Sequence, residues 1–272
     1  MRALALLTAT LCLAGCSGSA ELDDRRVVVA GFYPLAWAIE RIGGPSFRVV
    51  NLTRAGTEPH DLELSPKDVT TIRDADLVVY VGGGFQPALE DAVVVRDGPS
   101  LDVLGADSDP HVWLDPVRFA EIARKIGAAL ERPAAASKLV DELDELDEEY
   151  RSGLDQCAGR TLVTAHAAFG PLAERYGLMQ LPLAGRSPEA EPSPRGLGRL
   201  IADVRGSGAT TVFAEPLVSD KLAETVAREA GAEVAMLDPI EGLSQERLEA
   251  GEDYLSAMRS NLTVLREALG CR

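Results

Sequence analysis

Asp109-Pro110-His111-Val112-Trp113-Leu114-Asp115-Pro116 is the stretch from which the rest of the chain can be interpreted. Its two Asp-Pro pairs flank one of only three histidines in the 272-residue sequence. Each proline holds the preceding residue in an extended conformation, and the second proline suits the first turn of a helix. His111 is therefore predicted to lie in a stiff loop. Taken alone, a single histidine is more often a structural residue than a ligand.

Strands and helices alternate on both sides of this stretch. Apolar runs at residues 27–30, 47–53, 77–81 and 100–104 are predicted strands of a first half, and those at 160–165, 179–183, 210–214 and 233–237 of a second. Such alternation is typical of parallel sheets covered by helices. The sequence predicts an α/β fold of two Rossmann-like lobes with parallel sheets. The expected boundaries are 27–132 for the N-terminal lobe and 158–272 for the C-terminal lobe.

A long helix is predicted to join the lobes rigidly, within residues 133–157. From Ala134 to about Gln156, apolar residues recur every three or four positions, which indicates one buried stripe; they are Leu139, Leu143, Leu146, Tyr150 and Leu154. The acidic runs between them, including Asp147-Glu148-Glu149, are expected to form a solvated outer face. A helix of this length spans about 35 Å, which is the width of a domain.

Four residues with metal-binding side chains each follow a predicted strand: His60, His111, His166 and Asp238. In open α/β sheets, ligands bind at the carboxyl ends of the strands. Two lobes facing each other would bring these four side chains together in the cleft between them. Three imidazoles and one carboxylate suit tetrahedral Zn²⁺. The wide separation of the histidines excludes single-helix motifs such as HExxH, so tertiary structure must assemble the site.

The N-terminus has the features of a secretory signal over residues 1–15, with Arg2 followed by an apolar run that is too short to span a membrane. Leu13-Ala14-Gly15-Cys16 resembles the bacterial lipobox, in which cleavage leaves a lipid-carrying cysteine at the new N-terminus. The lipid on Cys16 would then anchor the protein to the outer face of the membrane, with residues 16–26 as a tether. The cysteines left over, Cys157 and Cys271, are expected to form a disulfide in this oxidising compartment; two separate thiols are the alternative.

Charge and glycine content argue against two classes of partner. The formal net charge of −16 makes nucleic-acid binding unfavourable. Gly82-Gly83-Gly84 follows a predicted strand, but the Lys-Ser/Thr of a P-loop and the GxGxxG spacing are missing. We interpret the three glycines as a tight turn, not as a nucleotide site.

Several longer motifs surround the candidate ligands. They are Gly56-Thr57-Glu58-Pro59-His60-Asp61, the opening stretch, Thr164-Ala165-His166, Phe213-Ala214-Glu215-Pro216 and Leu237-Asp238-Pro239. Together they resemble the ZnuA-like family, the solute-binding receptors of zinc and manganese ABC importers, over nearly the whole mature chain. The resemblance implies two α/β lobes tied by a long helix. It also implies a receptor that captures extracytoplasmic Zn²⁺ and delivers it to a membrane permease driven by an ATPase.

The resemblance maps the metal ligands onto His60, His111, His166 and the acidic position Asp238. Relatives vary at this last position, so Glu58 and Glu215 remain competitors. A histidine at the third ligand is typical of zinc receptors and a glutamate of manganese receptors, so His166 favours Zn²⁺ over Mn²⁺ as the transported ligand. Residues 91–108 contain no histidine, in contrast to the His-rich loop of many zinc members. Partners for the imidazole N–H groups are expected among Glu58, Asp61, Asp109, Asp115 and Glu215.

Two other functions are compatible with the same residues. A zinc hydrolase would use three histidines, a metal-bound water and Glu58 as general base. An adhesin, a role proposed for some relatives, would use the metal structurally. A closed site with four protein ligands lacks the open position that catalysis needs, so we expect a monomeric receptor and not an enzyme.

Overall fold

The structure is a computed structural model that describes residues 24–105, 109–188 and 192–272. The predicted signal segment and Cys16 lie outside the described residues. No helix in the described part of the chain is long and apolar enough to cross a membrane.

The first half of the chain forms a four-stranded parallel sheet in the order β2-β1-β3-β4. Its elements are β1 Arg26–Ala30, α1 Tyr33–Gly43, β2 Phe47–Asn51, α2 Pro66–Asp74, β3 Leu77–Tyr80, α3 Pro87–Val94, β4 Ser100–Asp102 and α4 Pro116–Ala129. The central strands β1 and β3 are runs of apolar residues because helices cover both faces of a parallel sheet.

The second half repeats this topology, with the strand order β6-β5-β7-β8, all parallel. Its elements are β5 Thr161–Thr164, α6 Gly170–Arg175, β6 Met179–Pro182, α7 Pro194–Ser207, β7 Thr211–Ala214, α8 Lys221–Ala230, β8 Glu233–Met236, α9 Gln245–Glu249 and α10 Tyr254–Ala268. The predicted α/β fold with two parallel sheets is confirmed. The helices α3 and α9 lie in stretches where no helix is predicted from the sequence.

The long helix α5, Pro133–Leu154, follows α4 and precedes the second sheet. The five residues of its predicted apolar stripe are all buried, which confirms that pattern. They belong to one hydrophobic core that continues from Val28 of the first sheet to Leu237 and Tyr254 of the second half. The two halves therefore share a core, and α5 runs through it.

One acidic residue of α5 departs from the predicted solvated face. Asp147 is only 6% exposed. Its carboxylate accepts hydrogen bonds from Arg175 Nε at 2.8 Å and Nη2 at 2.6 Å, from Arg151 Nη2 at 2.8 Å and from Tyr176 Oη at 3.0 Å. Burial raises the pKa of Asp147, but these bonds outweigh it and lower the pKa to about 2. Asp147 fixes α5 to α6 of the second half.

The structure also joins Cys157 to Cys271 by a disulfide. The same contact includes backbone hydrogen bonds from Arg272 N to Gln156 O and from Gly159 N to Leu269 O. The end of α10 is thereby tied to the segment that opens the second half.

Candidate metal centre

Three histidines and one glutamate converge where the two halves meet. His60, His111, His166 and Glu241 each offer one ligand atom, and these four atoms lie within 4.8 Å of one another. They come from the loops that follow β2, β4, β5 and β8 respectively, all at the carboxyl edges of the sheets. Each half supplies two of the four side chains.

The four ligand atoms are buried and lack hydrogen-bond partners. This holds for Nε2 of all three imidazoles and for Oε1 of Glu241. Each unsatisfied buried polar atom costs about 1–3 kcal/mol, so four in one place require a common explanation. Glu241 Oε1 lies 3.3 Å from His60 Nε2 and 3.4 Å from both His111 Nε2 and His166 Nε2. Adjacent ligand atoms of a tetrahedral zinc ion lie about 3.3 Å apart, so this donor set fits Zn²⁺ as a bound ligand.

His111 is held by the loop that the two Asp-Pro pairs define. Asp109 Oδ1 accepts hydrogen bonds from His111 N at 3.0 Å and from His111 Nδ1 at 2.9 Å. Burial raises the pKa of Asp109, but the bonds from His111 outweigh it and leave that pKa below its usual value. A donating Nδ1 leaves the lone pair on Nε2, which points to the other ligands. Asp115 accepts from Val117 N at 2.9 Å and caps α4.

His166 is held by Glu215, which follows β7. Glu215 Oε1 accepts from His166 N at 3.1 Å, and Oε2 lies 2.5 Å from His166 Nδ1. Both side chains are almost completely buried. Burial lowers the pKa of His166, but the carboxylates of Glu215 and Glu241 outweigh it and raise the pKa to about 10. Glu215, expected as a competitor for the fourth ligand position, lies outside the group of four and instead orients the His166 ring.

His60 has a different setting. Its ring packs against Phe85 with ring centroids 4.5 Å apart, and Gln86 Nε2 donates to Pro59 O at 3.3 Å. Phe85 and Gln86 directly follow the Gly82–Gly84 turn, in which Gly83 and Gly84 have φ of 76° and 82°. The predicted tight turn is therefore present, and it places the Phe85 ring against His60.

Glu58 lies beside the group of four but outside it. Its Oε1 accepts from His60 N at 3.2 Å and lies 4.0 Å from His60 Nε2. Burial and the nearby Glu241 carboxylate raise the pKa of Glu58 to about 8. Glu58 Oε2 is also buried without a hydrogen-bond partner, but Glu58 is not among the four side chains whose ligand atoms lie within 4.8 Å of one another. The structure also leaves Asp61 exposed and away from this group.

The prediction of Asp238 as the fourth ligand disagrees with the structure. Asp238 Oδ2 accepts from Arg247 Nη1 at 2.6 Å, and Oδ1 accepts from Ile240 N at 2.7 Å. Its carboxylate is thus occupied, and Glu241, three residues later, reaches the histidines. Sequence reasoning missed Glu241 because it considered Asp238, directly after the predicted strand, with Glu58 and Glu215 as competitors, and no residue further along the loop after β8. The one available signal was its place in the same short loop, between Pro239 and Gly242.

Known proteins resemble the chain over most of its length. Residues 28–268 match the family model described as zinc-uptake complex component A periplasmic. The chain is 34% identical to the zinc-binding lipoprotein AdcA of Streptococcus pneumoniae, over 98% of this chain but 61% of that protein. It therefore spans less than two thirds of that relative. It is also 32% identical to the high-affinity zinc uptake system protein ZnuA of Bacillus subtilis, over 97% of this chain and 94% of that one.

Solved structures show the same fold. The Zn(II)-bound ZnuA-like domain of Streptococcus pneumoniae AdcA superposes with a TM-score of 0.75 at 34% identity, covering 90% of this chain and 99% of that domain. The laminin-binding protein Lmb of Streptococcus agalactiae, described as bifunctional with adhesin and metal transporting activity, gives a TM-score of 0.80 at 32% identity, covering 90% and 99%. With a family model that matches most of its length, this chain belongs to the family of the periplasmic zinc-uptake complex component A.

Proposed function

We propose that the chain is an extracytoplasmic receptor that captures Zn²⁺ and delivers it to an ABC importer. The ligands are His60, His111, His166 and Glu241. One observation carries the proposal: four buried ligand atoms, separated as in a tetrahedral zinc site, have no hydrogen-bond partner. The similarity to relatives named as zinc-binding and zinc-uptake proteins supports it.

The nature of the ligands favours zinc over manganese. Three imidazole nitrogens and one carboxylate oxygen are borderline ligands that suit Zn²⁺, whereas Mn²⁺ prefers more oxygen ligands. The third position decides this comparison, since His166 supplies nitrogen where a carboxylate would shift the balance to Mn²⁺. Glu215 supports this choice because its carboxylate holds the proton of His166 on Nδ1. Once zinc is bound, Nε2 is therefore unprotonated and directed at the other ligands.

The arrangement supports binding and release, not hydrolysis. Four protein ligands complete a tetrahedral shell, whereas a catalytic zinc keeps one position for water. Glu58 could serve a hydrolase as general base, but its contacts here are with the His60 loop. We infer a transport receptor with no turnover of its own.

The partners follow from the family. A zinc-uptake component implies an importer, and we propose its permease and ATPase as partners of a monomeric receptor. The sequence around Cys16 supports a lipid anchor at the outer face of the membrane, as in relatives named lipoproteins. The carboxyl edge of the two sheets, where the metal centre lies, is the face from which zinc would be handed over.

Metal analysis of protein beginning at Ser17 tests the proposal. One zinc per chain is expected after purification and dialysis, and separate alanine variants of His60, His111, His166 and Glu241 should lose it. Asp238→Asn, which leaves all four ligands intact, should still bind one zinc when the metal is in excess. Stoichiometric zinc in the His111→Ala or Glu241→Ala protein at low free zinc would contradict the ligand assignment.

A further inference from the structure

The loop that carries Glu241 is built around a left-handed turn at Ile240. This residue has φ of 57° and is fully buried. β-Branched side chains rarely adopt positive φ because the branched carbon collides with the backbone. Such a conformation persists only where surrounding contacts impose it, and it is concentrated at functional sites. The contacts around Ile240 should therefore explain how Glu241 reaches the histidines.

Asp238 supplies the contacts on the near side of the turn. Its Oδ1 accepts from Ile240 N at 2.7 Å, which closes the turn across two residues. Its Oδ2 accepts from Arg247 Nη1 at 2.6 Å. Its own backbone is held by Asn261, whose Oδ1 accepts from Asp238 N at 2.9 Å and whose Nδ2 donates to Asp238 O at 2.6 Å. The Asp238 carboxylate thus links Arg247 of α9 to the turn at Ile240.

The first half of the chain holds the other parts of the loop. Trp113 Nε1 donates to Pro239 O at 2.8 Å, and Gly56 N donates to Leu243 O at 3.0 Å. These bonds fix both flanks of Ile240 against the loops of His111 and His60. With the flanks fixed, the turn at Ile240 sets the direction in which the Glu241 side chain leaves the loop.

We propose that Asp238 and Arg247 are positioning residues for Glu241. Their ion pair imposes the left-handed turn at Ile240, aims Glu241 Oε1 at the three imidazoles, and so slows the loss of bound zinc. This inference rests on the proposed zinc site and deepens it. Arg247 lies on α9, outside the ligand group, and also bonds Glu252 Oε2 at 2.8 Å. Its effect on the metal must therefore pass through the Asp238 carboxylate and the turn.

A double-mutant cycle tests the proposal. Zinc dissociation is measured by stopped flow into excess chelator for the wild-type, Arg247→Met, Glu241→Gln and doubly substituted proteins. Arg247→Met should speed dissociation about tenfold in the wild-type background, since residues that share one hydrogen-bond network are energetically coupled. In the Glu241→Gln background it should change the rate less than about twofold, because the group that it positions is already impaired.

A second pair of variants and a spectroscopic signature separate positioning from general destabilisation. Asp238→Asn should reproduce the faster dissociation, and Arg247→Lys should retain part of the wild-type behaviour. The visible absorption of bound Co²⁺ should show the same loss of tetrahedral character in Arg247→Met as in Glu241→Gln. Arg259→Met, which removes the ion pair with Glu149 on α5, is the matched control and should leave both the rate and the spectrum unchanged.

The outcomes are distinct. Wild-type dissociation rates in both Arg247→Met and Asp238→Asn would overturn the proposal, as would an equal acceleration by Arg247→Met in both backgrounds. A wild-type protein that binds no zinc would overturn the proposed function together with this inference. Slow dissociation from the wild-type protein, with acceleration by Arg247→Met only where Glu241 is intact, supports both.

Discussion

The two halves of the molecule share one strand order but are held in different ways. The second half is closed by the disulfide between Cys157 and Cys271. Its edge strands are exposed, with Met179 63% and Met236 50% accessible. In the first half, His60 packs against Phe85 and His111 against Trp113, and both aromatic rings contact Phe32. The comparison teaches that aromatic packing holds the metal-side loops of the first half, whereas the second half adds a covalent bond and the buried Asp147–Arg175 ion pair to its own apolar core.

Removing the disulfide should have the largest effect on stability. The bond closes a separation of 114 residues, and a loop of that size contributes about 4–5 kcal/mol in the chain-entropy model. The Cys157→Ser/Cys271→Ser protein should therefore unfold at a much lower denaturant concentration. Reductant should lower the wild-type midpoint to the same value and leave the variant unchanged. If the wild-type midpoint is the same with and without reductant, the second half does not depend on the disulfide.

The carboxylates that hold His166 and His111 should differ in their effect on zinc affinity. Glu215 is 2% exposed in its side chain, whereas Asp109 is 32% exposed. Loss of a carboxylate behind a ligating imidazole typically costs about 10–100-fold in metal affinity, and water weakens such a pair at the surface. Glu215→Gln should lower affinity by about that factor and Asp109→Asn by less. Competition with a zinc chelator measures both, and equal losses would remove this distinction between the halves.

The buried ion pair on α5 should stabilise the protein in a pH-dependent way. The folded-state pKa of Asp147, about 2, lies below its ordinary value of 3.8. The carboxylate therefore stabilises the fold fully above about pH 4, and this contribution is lost as the pH falls through about 2. Asp147→Asn should lower the free energy of unfolding by about 2 kcal/mol at pH 7.

Denaturant unfolding at pH 7, 4 and 2.5 measures this effect. The difference between wild type and Asp147→Asn should shrink as the pH falls. Glu148→Gln on the same helix is the control, because Glu148 is 74% exposed in its side chain and such pairs contribute little. A difference that stays constant over this pH range would mean that packing, not charge, makes Asp147 important.

The three histidines of the group were predictable from the sequence, and its glutamate was not. Three histidines in 272 residues, each following a predicted strand, leave few alternatives once the parallel sheets are inferred. Among 43 acidic residues, by contrast, only tertiary structure distinguishes Glu241. Its position depends on positive φ at Ile240, a conformation that this residue type disfavours and that local sequence rules do not predict.

The burial of Asp147 was unpredictable for a related reason. Its place in an acidic run indicates a solvated face, but its partner Arg175 comes from a helix 28 residues away. The apolar stripe of α5 was predictable because it repeats within one helix. Local periodicity is therefore visible in the sequence, whereas polar groups that are paired across the fold are visible only in the structure.

Metal binding should cause only a small closure of the two halves. They share a continuous hydrophobic core through α5. Hydrogen bonds from side chains to backbone carbonyls also cross between them, from Trp113 Nε1 to Pro239 O and from Tyr254 Oη to Trp113 O. A wide hinge motion would break these contacts and expose the core. An open, zinc-free state would therefore cost much free energy. Small-angle X-ray scattering should show a change in radius of gyration below about 1 Å on zinc addition, the scale of motion in pre-organised complexes. A change of several ångströms would mean that the shared core separates, and that the second half moves as an independent unit closed by its own disulfide.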